Sequence, residues 1–224
     1  EPEPSRHLSR SLRMGEGDAL TLFDGSGGEY GANIIEVTKK HVTVRTGQHL
    51  EIERESTLPI HLGIAVSRGD RFDWVIQKAT ELGAASISPL QTERTGVRLP
   101  GDRAQKKHAH WHQITISACE QCGRNRLPQL TPLQDLQSWV EATRADQKVV
   151  LHHRAVAHTK PTRQPGSIAL LIGPEGGLSD VEIELAERSG YDSLTLGPRV
   201  MRTETAPLAA LAILQGRWGD MSPD

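Results

Sequence analysis

Residues 168–215, IALLIGPEGGLSDVEIELAERSGYDSLTLGPRVMRTETAPLAALAILQ, constrain this chain more than any other stretch. An unbroken apolar run suits a buried strand, and it empties into a loop of small residues, Gly173-Pro174-Glu175-Gly176-Gly177. Ser179 with Glu182 three residues on forms a capping box that opens a helix, and Gly190 closes it. A second short run, 193–196, ends in Gly197-Pro198-Arg199, and after 200–205 an apolar helix is expected over 206–218. Two strand ends that each deliver a glycine-containing loop are how an α/β sheet builds a ligand crevice.

Upstream, the pattern changes between about residues 59 and 73. Before it, residues 19–52 give short β-like runs broken by Asp24-Gly25-Ser26-Gly27-Gly28 and Thr46-Gly47, with a hairpin of 30–37 on 42–45. After it, strand and helix patterns alternate. Strands are expected at 62–67, 86–90 and 148–152, and helices at 73–82, 103–122 and 133–143. That order predicts an α/β domain with a mostly parallel sheet and helices on both faces.

The loop chemistry narrows the ligand. The 173–177 loop has neither the Gly-Lys-Ser/Thr ending of a phosphate cradle nor GxGxxG spacing, and Glu175 would repel a phosphate. Small residues and one acid suit a ligand with hydroxyls, an aromatic ring and positive charge, a description that S-adenosylmethionine meets. The plainer alternative is a strand-to-helix turn with no ligand.

IGPEGG followed by LGPRVMRTETA resembles the RsmE family of 16S ribosomal RNA uridine-N3 methyltransferases, in the SPOUT superfamily. HLSRSLRMGEGDALTLFDGSGGEY, IQKATELGAASISPLQTERTGVRL and HWHQITISACEQCGRNRLPQL resemble it too, in family order and across nearly the whole chain. The resemblance implies a PUA-like β-barrel RNA-binding domain over 1–66 and a knotted SPOUT methyltransferase domain over 67–224. It also implies S-adenosylmethionine as cofactor, 16S rRNA or the small ribosomal subunit as partner, and a homodimer. Cofactor contacts are expected from Leu151, His152 and His153, from Ile172, Gly173, Pro174, Glu175, Gly176 and Gly177, and from Leu196, Gly197, Arg199, Val200, Met201 and Thr205. Two rivals stay open: a SPOUT enzyme for another RNA position, and an RNA-binding module without catalysis.

Composition sets bounds. With no apolar run long enough to span a bilayer and two cysteines, which give no disulfide framework, a cytoplasmic protein off the membrane is expected. A formal net charge of −2 gives no general basic coat, so RNA must be met by local patches. Arg6, Arg10 and Arg13 would share one face of a helix. Arg94 and Arg124 sit in loops beside the proposed site, and these five are the candidate RNA contacts. Lys39-Lys40-His41 and the cluster Arg103, Lys106, Lys107, His108 and His110 are weaker patches.

Two signals are declined, and no metal site is expected. Cys119-Glu120-Gln121-Cys122 falls inside a helical pattern with no second CxxC, so these cysteines are expected to pack. His152 and His153 are neighbours on a strand and face opposite ways, which disfavours shared ligation.

The reaction itself selects two residues. A neutral uridine N3 is a poor nucleophile until it loses its proton, so a cation beside the uracil carbonyls and a proton acceptor are required. Arg202 and Glu204, two apart in the loop before the last helix, are the expected catalytic pair. Alternatively they pair with each other, or Glu204 caps the helix.

Overall fold

A computed structural model describes residues 2–152 and 164–221. The chain divides into two compact units, Glu1–Arg54 with Gly123–Leu127, and Glu55–Cys122 with Pro128–Asp224.

In the first unit, α1 (Pro2–Arg6) runs into a π-helical turn, His7–Ser11. Three antiparallel strands follow, β1 (Ala19–Leu22), β2 (Glu29–Val37) and β3 (Val42–Leu50), in the order β1-β2-β3. Alternation on β2 buries Ala32 and Ile34 on one face. The β2–β3 turn closes through Thr38, whose hydroxyl oxygen accepts from the backbone N–H of Lys40 at 3.3 Å and of His41 at 3.0 Å. Residues 123–127 join this unit: Arg126 bridges to Gly25 and Ser26, and the Asn125 amide donates to the Ile52 carbonyl at 2.6 Å.

The expected boundary at residue 66 moves to 54/55. The reason lies in β4 (Ile60–Ala65), whose Ile60, Leu62 and Ile64 are fully buried in the centre of the second sheet. The helical face expected for three arginines is also shorter. The helical turns stop at Ser11, and Arg13 lies beyond them with a left-handed φ of 55°. Arg6 and Arg10 remain exposed within the helical stretch.

The second unit continues with α2 (Arg71–Glu81), β5 (Ala84–Gln91), α3 (Asp102–Cys122), β6 (Gln129–Leu130), β7 (Gln134–Asp135), α4 (Leu136–Ala142) and β8 (Gln147–Leu151). It ends with β9 (Ile168–Ile172), α5 (Asp180–Arg188), β10 (Asp192–Leu194) and α6 (Thr205–Trp218). The strand order is β10-β8-β9-β4-β5-β6, with β7 also on β5, and every pairing is parallel.

A parallel sheet covered on both faces needs apolar residues at every strand position, and β9 is buried throughout. Ile168, Leu170 and Ile172 point into the core shared with Phe72, Ile76, Trp111 and Leu211, while Ala169 and Leu171 face Trp139, Val140, Ile183 and Ala186. Gly63 lets Trp139 lie against the sheet: a Cβ there would stand 2.6 Å from the indole ring. Cys119 is fully buried within α3 and Cys122 half-buried.

The start of α2 is pinned to α3. The Trp111 indole N–H donates to Asp73 Oδ1 at 3.0 Å, His110 lies 2.7 Å from Oδ2, and the Phe72 and Trp111 rings stand 4.7 Å apart.

Candidate active site

Three parallel strands, β8, β9 and β10, end on the same edge of the sheet, and loops leave β9 and β10 there. After β9, the Gly177 N–H donates to the Pro174 carbonyl at 2.8 Å, and Gly177 has a φ of +67° that side chains disfavour. Gly173 is held by packing instead, since a Cβ there would meet the Leu178 backbone nitrogen at 2.9 Å. The expected capping box is present. Ser179 N–H donates to Glu182 Oε2 at 2.8 Å, and Glu182 N–H to the Ser179 hydroxyl at 3.3 Å. The other Glu182 oxygen accepts from the Glu93 N–H at 2.8 Å, joining the β5 loop to this helix start.

These loops enclose a cavity of about 480 Å³. Leu151, His152, Ile172, Gly173, Pro174, Glu175, Gly176, Gly177, Leu196, Gly197, Arg199, Val200 and Met201 line it, as expected from the sequence, and Thr205 does not. His153 lies outside the described residues. Leu178, Ile183, Thr195, Pro198, Thr203, Ala206 and Arg94 complete the wall. Beside it, His152 Nε2 lies 2.8 Å from the Ser193 hydroxyl, which donates to Glu187 at 2.8 Å.

The charged residues divide differently from the sequence expectation. Arg94, a candidate RNA contact, is exposed, and its guanidinium donates to the carbonyls of Gly176 at 3.1 Å and Leu178 at 3.3 Å. Arg124, another candidate, belongs to the first unit and is 5% exposed. Arg202 is exposed, and the carboxylate of Glu204 faces Arg71 at 3.9 Å instead of pairing with it. Glu204 does occupy the N-cap position of α6, but its side chain makes no capping bond. Neither Arg202 nor Glu204 lines the cavity; Met201 and Thr203, their neighbours, do.

The sequence reading missed Arg68 and Arg71. The Arg71 guanidinium reaches Glu175 at 3.4 Å as well as Glu204, and the Arg68 backbone N–H donates to the same Glu175 oxygen at 3.3 Å. An Arg-Gly-Asp-Arg run just after the first strand of the sheet was the available signal.

Comparison with known proteins agrees with this geometry. A family model described as an RNA methyltransferase domain matches residues 54–215, and an RNA methyltransferase PUA domain matches 3–46. The ribosomal RNA small subunit methyltransferase E of Bacillus subtilis is 32% identical over 225 residues, 95% of this chain and 87% of its own. This chain belongs to the ribosomal RNA small subunit methyltransferase E family. A family member from Neisseria gonorrhoeae, solved bound to S-adenosyl methionine, is 36% identical with a TM-score of 0.91, covering 99% of this chain and 92% of that one. A Legionella pneumophila methyltransferase structure with bound SAM is 47% identical with a TM-score of 0.94, covering 98% and 91%. The α/β unit thus carries the methyltransferase fold of the family, and the N-terminal sheet its PUA domain.

Proposed function

We propose that this chain transfers a methyl group from S-adenosylmethionine to N3 of a uridine in small-subunit (16S) ribosomal RNA. The observation that carries the reading is the cavity at the β8, β9 and β10 ends, walled by Leu151, Ile172, Leu178, Ile183 and Leu196 with Glu175 at the loop. Its volume of about 480 Å³ falls within the roughly 300–1,000 Å³ that encloses cofactor-sized ligands. Apolar walls suit a base and a methionine chain, and a carboxylate suits a cation where a phosphate would be repelled. Backbone groups of Ile172–Gly177 and of residues 196–201 would hold the ligand.

When bound, S-adenosylmethionine supplies a methyl group activated on a sulfonium. The protein's task is the other partner. Arg202 stabilises negative charge on the uracil carbonyl oxygens as N3 loses its proton, and Glu204 accepts that proton or passes it to water. The Arg202 carbonyl accepts from the N–H groups of Thr205 and Ala206, each at 2.9 Å, which ties this loop to the start of α6.

The same reading includes the knotted chain path, a cytoplasmic location and a homodimer. Among the described residues, no helix is long and apolar enough to cross a membrane. Val200 supports the dimer: it is 79% exposed in a cavity-lining loop, where a second copy would cover it.

Primer extension tests the reading. A methyl group at N3 blocks Watson–Crick pairing, so rRNA from cells lacking this protein should lose one stop, and the purified chain with S-adenosylmethionine should restore it. RNA binding with no saturable S-adenosylmethionine affinity would instead support a binding module.

A further inference from the structure

We infer that Arg71 is a positioning residue that couples the cofactor loop to the catalytic loop; this rests on the proposed methyltransferase reading. Arg71 is the first residue of α2, and its guanidinium lies between two carboxylates from distant loops: Glu175 at 3.4 Å and Glu204 at 3.9 Å. The helix dipole opposes a cation in the first turn, so helix stability does not explain an arginine there. Nor does ion-pair stability, because the three side chains are 45%, 35% and 23% exposed and such pairs contribute little.

What the arrangement does supply is a fixed spacing. The start of α2 is anchored to α3 through Asp73 and Trp111, and the planar fork of Arg71 presents one nitrogen to each loop. Without it, no cation would stand between the Glu175 and Glu204 carboxylates, Glu175 would keep only the Arg68 N–H, and Glu204 would lose its bearing on the substrate relative to the methyl donor. Alignment errors of this kind fall on turnover more than on affinity.

The experiment is a double-mutant cycle on the full chain with Arg71→Gln and Glu175→Gln, plus Arg71→Lys. Arg71→Gln should lower kcat on the order of tenfold or more, while the S-adenosylmethionine Kd moves by less than about threefold. Arg71→Lys, which can serve one carboxylate, should recover part of the loss. The double variant should lose less than the product of the two single losses, since neutralising Glu175 removes the repulsion. Amide exchange supplies a readout without turnover: in Arg71→Gln, residues 202–206 should exchange faster while β9 keeps its protection.

Parent-like kcat, multiplicative losses, or unchanged exchange at 202–206 would overturn the inference and leave the functional reading standing. An inactive parent would bring down the functional reading, and the exchange comparison would still decide whether Arg71 holds the two loops. If Arg71→Gln loses global protection, Arg71→Lys and its cycle with Glu175→Gln carry the test.

Discussion

The Arg94 guanidinium donates to the carbonyl oxygen of Gly176 at 3.1 Å, so a residue from the loop after β5 braces the loop after β9. Its second bond, to Leu178 at 3.3 Å, fixes the far end of the same turn. Arg94→Ala removes Nη1, the donor of both bonds. At about 0.5 kcal/mol each, the low end for partly exposed hydrogen bonds, the two together contribute about 1 kcal/mol, so S-adenosylmethionine affinity should fall about fivefold in calorimetry. The salt dependence of RNA binding should not change. A flatter salt slope with intact cofactor affinity would return Arg94 to the RNA surface.

Gly173 and Gly176 should respond differently to alanine. At Gly173 the new Cβ would stand 2.9 Å from both Leu178 Cγ and the Leu178 backbone nitrogen, and backbone cannot swing away. Gly173→Ala should therefore destabilise the fold by about 1–3 kcal/mol. At Gly176 the nearest atoms are Arg94 carbons at 3.5 and 3.6 Å, which is ordinary contact, so Gly176→Ala should stay within about 0.5 kcal/mol. Urea midpoints separate the two. Equal midpoints would mean the loop relaxes freely.

Legibility in the sequence followed the range of the interactions. The capping box of Ser179 and Glu182, the all-apolar β9 and the loop after it are local, so the α/β class and most cavity residues could be read from spacing. The N-terminal limit of the second unit was misplaced because Ile60, Leu62 and Ile64 declare themselves as a central strand only once β9 and β5 lie beside them. Arg71 was missed for the same reason: Glu175 lies 104 positions away, and the Arg-Gly-Asp-Arg run around Arg71 marks a charged loop without naming its partner. Arg124 read as a loop cation, yet residues 123–127 fold into the first unit, which no local pattern signals.

On the RNA side, Arg6 and Arg10 remain as the exposed pair on the N-terminal helical stretch. Arg6→Glu with Arg10→Glu should weaken binding to a small-subunit rRNA fragment without altering S-adenosylmethionine affinity. For every phosphate that the variant no longer neutralises, the slope of log K against log salt should flatten by about 0.7–0.9. An unchanged slope would make this face ordinary solvated surface.

His61 gives a pH prediction. It sits in β4 with Nδ1 2.9 Å from the Ser86 hydroxyl, and burial holds its imidazole below the usual value of 6.5. Burial thus favours the neutral ring in the fold, so the unfolded chain takes up the proton first as pH falls. Stability should decline from about pH 6.5 downward and level off below the folded-state value. His61→Gln keeps a hydrogen-bonding group and cannot titrate. Its stability relative to the parent should improve between pH 7 and 5, and a constant difference would exclude His61 as a source of the slope.

Arg202 carries the catalytic prediction. Its side chain is exposed and does not line the cavity, while its backbone carbonyl holds the turn through Thr205 and Ala206. Arg202→Ala should therefore leave the loop and S-adenosylmethionine affinity in place and act on turnover alone. Removing one electrostatic partner of developing charge costs on the order of a hundredfold in kcat. A rate within about twofold of the parent would release Arg202 from the role. Arg94 is committed to loop carbonyls and Arg124 is buried, so the role would pass to Arg199, which lines the cavity from the same loop.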